Sequence, residues 1–128
     1  MANNIRGGVG HSHTVYASAA RTATPDTEEL ELPKGTRFIT AVIDVTAVTA
    51  TPALTLKIEG VDRASGKVWT LIEDAAVSTV STGTLHVGPG LTAAANVTAN
   101  AMVPPVVRFT VTHGDADSAT YSVGAHFS

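Results

Sequence analysis

The 128-residue sequence contains no cysteine. That excludes a disulfide framework, a thiolate metal site and a cysteine nucleophile, and it fits synthesis in a reducing compartment. Charge is also scarce: charged residues make up 15% of the chain, against about a quarter in an ordinary soluble domain. The 8 cationic residues are scattered as Arg6, Arg21, Lys34, Arg37, Lys57, Arg63, Lys67 and Arg108, and the net charge is −3. No electrostatic footprint for nucleic acid results. Nowhere does the chain approach the run of about 18 apolar residues that a membrane-spanning helix needs. The opening MANNIRGGVGHSH has no apolar signal-peptide core, so neither nucleic acid nor membrane is an expected partner. Aromatic residues reach only 5%, which leaves a carbohydrate-binding surface little besides Trp69, Tyr16 and Tyr121 to build on.

What the chain has instead is Ala, Val and Thr. Hydrophobic residues are 44% of the sequence, and β-branched side chains suit a pleated sheet. With so few charges, the exposed faces must be coated mainly by Thr, Ser and Ala. At this length one domain is expected, burying roughly two thirds of its unfolded surface. Residues 1–13, with Asn3-Asn4 and Gly7, Gly8 and Gly10, read as a flexible N-terminal arm, and residues 14–128 as the folded domain.

Period-two patterning dominates that domain. Ile39, Ala41, Ile43 and Val45 share one face of RFITAVIDVTAV, and Leu54, Leu56 and Ile58 alternate with Thr55, Lys57 and Glu59. The segment DRASGK, with Gly66 free to take a positive φ, joins the latter run to VWTLI as a hairpin. Further strands are predicted over 14–21, 28–32, 106–113 and 119–127, and residues 78–87 read as one more strand or a broken pair. Residues 91–105 carry too much Ala for a strand and are predicted to form a long ordered loop with a short helical turn. About eight short strands broken by Gly and Pro predict an all-β, single-domain β-sandwich, with the jelly roll as a variant, in preference to a barrel.

Chemistry is hard to find. The stretch HGDADSATYSVG places His113, Asp115 and Asp117 close together, but Gly, Asp and Ser are what a hairpin loop uses, and residues 119–128 supply no acidic residue to close a Ca²⁺ site. His11 and His13 could project to one side of a strand, yet two histidines do not complete a metal site, and docking or solvated histidines are the simpler reading. There is no Gly-x-Ser-x-Gly elbow, phosphate loop or dinucleotide fingerprint. Trp69, the sole tryptophan, is expected at the edge of the core rather than as a sugar platform. No catalytic residue, metal or cofactor is expected.

The runs TVYASAART, VIDVTAVTATPALTLKIEGVDRASGKVWTLI, GPGLTAAANVTA and FTVTHGDADSATYSVGA together resemble a family of small virion structural proteins of tailed bacteriophages. The resemblance extends over nearly all of the chain from Thr14 onward. It implies a non-enzymatic structural role, most like a head decoration or cement protein on the outer capsid surface, made in the host bacterial cytoplasm. Its partners would be the major capsid protein and further copies of itself, as a trimer at local threefold positions. A tail or baseplate component is the alternative that the same family allows, with a host-carbohydrate-binding module behind it. Capsid or subunit contacts are expected from the arm, through Ile5, Val9, His11 and His13, and from the apolar loop, through Leu91, Val97, Met102 and Val103.

Overall fold

The computed structural model describes residues 10–128 in full and, before them, only the backbone of Asn3 and Asn4. Ten strands follow in order: β1 (Asn3–Asn4), β2 (Ser12–Arg21), β3 (Glu28–Glu31), β4 (Ile39–Val48), β5 (Leu54–Val61), β6 (Val68–Glu73), β7 (Ser81–Gly88), β8 (Thr98–Asn100), β9 (Val106–His113) and β10 (Ala119–Phe127). They form two sheets, β1-β3-β9-β5-β6 and β2-β10-β4-β7-β8. Without the short strands β1 and β8, each sheet has four antiparallel strands. From β2 to β10 the chain then changes sheet at every connection except the β5–β6 hairpin. That connectivity is the jelly roll, a double-sheet, double Greek-key sandwich.

Alternation along the strands makes the core. Leu54, Leu56, Ile58, Val107, Phe109 and Val111 of the first sheet meet Ile39, Ala41, Ile43, Val45, Leu85, Val87, Tyr121, Val123 and Phe127 of the second, all essentially buried. Each large aliphatic or aromatic side chain removed from water in this way contributes about 1.5–3 kcal/mol. Tyr16 links the sheets through its hydroxyl, which donates to the carbonyls of Phe109 (3.1 Å) and Asp26 (2.7 Å). Burial pushes its phenol up to about 12, with nearby Glu28 acting in the same direction.

The outer faces differ. On the first sheet Glu59 is 4% exposed and is held by Arg108, whose Nη2 and Nε lie 2.9 and 3.1 Å from one carboxylate oxygen. Lys57 stands 3.6 Å from the other oxygen. The second sheet presents Thr40, Thr82, Thr84, Thr120 and Ser122, with Asp44 among them accepting a hydrogen bond from Thr82 at 2.8 Å.

Several predicted boundaries are corrected. Strand β2 begins at Ser12, so His13 belongs to the sandwich and not to an arm: backbone pairing to Ala125 and His126 recruits these residues although their side chains give no apolar signal. Strand β4 begins at Ile39 and β7 at Ser81. No helix forms among the described residues. Within the Ala-rich stretch, Thr98–Asn100 pairs in parallel with His86–Gly88, a contact made by the neighbouring strand and invisible to local propensity.

Candidate functional site

The jelly-roll connections leave loops at two ends of the sandwich. At one end stand the β3–β4 loop, the β5–β6 turn, the stretch from β7 to β9, the start of β2 and the C-terminal Ser128. Backbone hydrogen bonds tie them together. Ser128 exchanges bonds with Phe38 at 2.8 and 3.0 Å, Phe127 N–H donates to His11 O at 2.9 Å, and Leu32 N–H donates to Pro105 O at 2.9 Å. Gly88 is required here, because a Cβ at that position would overlap the Phe38 ring.

Most of the predicted contact residues converge on this end. His11 is exposed and His13 half-buried at the start of β2. Leu91 is half-buried beside Phe38, Thr40, His86 and Val87 around an open depression of about 380 Å³. Val103 packs against the core with Ala99 and Ala101. Met102 is 83% exposed, and Val97 projects 44% exposed from the flank of the loop. The loop is therefore anchored over the end of the sandwich, with Ala101 N–H on Gly88 O and Gly90 N–H on Asn100 Oδ1, yet it leaves two apolar side chains in water. Ile5 and Val9 lie outside the described residues.

The opposite end contains the His113–Asp117 cluster. Asp115 Oδ1 accepts from Asp117 N–H at 3.1 Å, Asp117 Oδ2 accepts from Thr51 N–H at 3.2 Å, and Gly114 N–H donates to Ala53 O at 2.8 Å. The aspartates thus do turn work, satisfying backbone donors. His113 Nε2 lies 2.8 Å from Tyr121 Oη. Burial lowers the His113 imidazole from its usual range, and the Arg21 cation adds to that. Arg21 sits 4.7 Å over the Tyr121 ring and donates to Tyr121 O and Ala17 O, a cation–π and hydrogen-bond clasp between β2 and β10. Among the described residues, no three His, Cys, Asp or Glu side chains gather as a metal would need.

Two features escaped sequence reasoning. Trp69 is 46% exposed rather than packed at the core edge, because it lies on the outermost strand β6 against Gly60, where any Cβ would overlap the indole. The signal was available: the DRASGK turn sets the register that puts Gly60 opposite Trp69. The second is Asp74, whose Oδ1 accepts from Leu56 N–H at 2.8 Å and whose carboxyl burial pushes up to about 6. No protein-family model matches the chain, and a search of curated proteins finds no match either. What the end that carries the β7–β9 stretch offers is a hydrogen-bonded platform with the exposed apolar side chains Met102 and Val97, suited to binding.

Proposed function

We propose that this protein is a non-enzymatic structural component of a tailed-bacteriophage virion, a decoration protein bound to the outer capsid surface that holds neighbouring subunits together. The observation that carries this reading is the exposed apolar pair Met102 and Val97 on an otherwise hydrogen-bonded loop. A side chain of that kind contributes about 1.5–3 kcal/mol when a partner buries it, and repetition over a lattice multiplies a modest contact by avidity. The Thr-rich outer face of the second sheet adds area that neighbours can cover at little desolvation cost. The family resemblance, carried by the runs TVYASAART, VIDVTAVTATPALTLKIEGVDRASGKVWTLI, GPGLTAAANVTA and FTVTHGDADSATYSVGA, points to the same reading.

The test is location and dependence. Purified particles imaged by cryo-electron microscopy should carry this chain on the outer shell, as trimers at local threefold positions. Met102→Asp and Val97→Asp together should lower its occupancy while the isolated protein keeps its melting temperature. Density confined to the tail, or full occupancy by the double variant, would overturn the reading.

A further inference from the structure

Beyond attachment to a particle, the surface around Trp69 has the makings of a ligand site. An open depression of about 360 Å³ is lined by Trp69, Pro104, Pro105 and Val106. A second of about 370 Å³, bordered by Glu29 and Glu31, shares Val61, Asp62, Arg63 and Val106 with it, so the two form one trough. Each lies within the usual size range of small-ligand pockets, about 300–1,000 Å³.

The trough joins one flat apolar face to a set of polar groups. One side of the indole is seated on Gly60, the way an aromatic residue covers a glycine across a strand pair, and the side chain still keeps nearly half its surface in water. Next to it, Arg63 Nη2 lies 3.1 Å from Glu31 Oε2, with both side chains substantially exposed. Asp62 is already committed to the turn, accepting from Ser65 Oγ at 2.6 Å and from Ala64 N–H at 3.3 Å. What faces a ligand is the indole together with the remaining guanidinium donors and carboxylate acceptor of the Arg63–Glu31 ion pair, whose contact uses one nitrogen and one oxygen.

We infer that this trough binds a neutral glycan, with a pyranose ring on Trp69 and its hydroxyls on Arg63 and Glu31. A pyranose has an apolar C–H face and a rim of hydroxyls that both donate and accept, matching an amphipathic aromatic with a donor and an acceptor beside it. Asp62, Glu29 and Glu31 outnumber Arg63, so the local charge disfavours uronates and sialic acids. A proline-rich peptide is a poorer match: its groove is lined by several aromatic residues, and here Trp69 stands as the one tryptophan of the chain.

Because the chain has a single tryptophan, its fluorescence reports the site directly. The folded protein is titrated with soluble oligosaccharides of glucose, galactose, mannose and N-acetylglucosamine, and separately with a short polyproline peptide. At least one sugar series is expected to give a saturable change. Retention on the same sugar immobilised on a gel should vanish for Trp69→Ala, and Arg63→Ala or Glu31→Gln should weaken it about tenfold, the loss of one hydrogen bond to a charged group. Circular dichroism and melting temperature check that each variant folds. Silence toward all four sugar series overturns the inference, and so does a response to polyproline alone. Sugar-independent self-association abolished by Trp69→Ala does so too, by making the indole an interface between copies. Particle occupancy of Trp69→Ala separates this site from the attachment surface: it should stay unchanged whether or not glycan binding is lost.

Discussion

Replacing Asp74 by Asn should make the protein more stable at neutral pH. The side chain stands where the β5–β6 ladder ends: Asp74 N–H donates to Leu56 O at 3.0 Å, and Asp74 Oδ1 accepts from Leu56 N–H at 2.8 Å. The carboxyl thereby takes the place of a strand carbonyl. Burial, with a smaller contribution from the neighbouring Glu73 charge, raises its pKa from 3.8 to about 6 in spite of that hydrogen bond. A carboxyl whose folded pKa lies above its unfolded value contributes its full stability below the unfolded pKa and loses it as pH rises through the folded one. The window is therefore about pH 4 to pH 6–7. The undiscounted shift corresponds to about 3 kcal/mol at 1.36 kcal/mol per unit, and because the group is only partly buried, screening by solvent reduces this to about 1–1.5 kcal/mol. Asparagine keeps the Oδ1 acceptor and never ionises. Urea unfolding of both proteins from pH 4 to 8 should show near-equal stability at the acid end and a gap of about 1–1.5 kcal/mol in favour of Asp74→Asn above pH 7. His113 acts with the opposite sign, since burial lowers its pKa, but it is common to both proteins and drops out of the difference. Parallel pH profiles, or a less stable variant at pH 7.5, would refute the argument.

Arg108→Met should cost about 2–3 kcal/mol by denaturant unfolding, because it leaves Glu59 buried with only Lys57 nearby, and adding Glu59→Leu should recover most of the loss. Tyr16→Phe should cost about 1–2 kcal/mol, since it removes the hydroxyl that joins β2 to the carbonyls of Asp26 and Phe109; thermal melting reads it. Ala50→Gly should stabilise by about 0.5–1 kcal/mol, because Ala50 holds a φ of 58° in the turn after β4 that glycine adopts without strain; a lower unfolding midpoint in urea would contradict this.

The strands with strict alternation were legible because the two faces of one strand answer to different solvents. In β5, Leu54, Leu56 and Ile58 are fully buried between half-buried Thr55 and Lys57, and the turn that ends this strand carries its own chemistry, with Gly66 at φ +74° and Asp62 N–H bonded to Lys67 O at 2.8 Å. Order within the sheets was not legible in the same way, because β9 lies between β3 and β5 and β10 between β2 and β4 through pairings far apart in sequence. The same non-locality hid β8, whose Thr98-Ala99-Asn100 has no strand signal of its own, and the inclusion of His13 in β2. Of the residues expected to make contacts, Leu91, Val97, Met102 and Val103 stood out because the Ala-rich loop is apolar, while how far each is exposed, from Met102 in water to Val103 against the core, depends on packing that the sequence does not display. Trp69 was misplaced because burial of a side chain on an outer strand depends on what covers that strand.

Sheet edges explain why the segments first read as free for partners are partly spent. A bare edge strand invites pairing with another chain, and jelly rolls leave edges at both ends of each sheet. Here β1 covers β3, and β8 covers β7, each in parallel. Asn3–Asn4 and Thr98–Asn100 therefore satisfy this molecule's own backbone before any partner arrives. The edges that end each sheet order, β2 and β6, are treated differently. Arg21 caps the carbonyls of Ala17 and Ala19 on β2 at 2.7 and 3.2 Å, and beyond β6 the chain turns back so that Val77 pairs with Leu54 while Asp74 fills the gap with its carboxyl. The β3, β7 and β2 edges are thus occupied or capped, which leaves the outer edge of β6, Val68–Glu73, as a place for strand addition. Recognition then falls largely to side chains, and of the large apolar ones standing out in water, Met102 and Val97 belong to the proposed attachment surface and Trp69 to the proposed ligand site, while Val80 lies in the turn before β7.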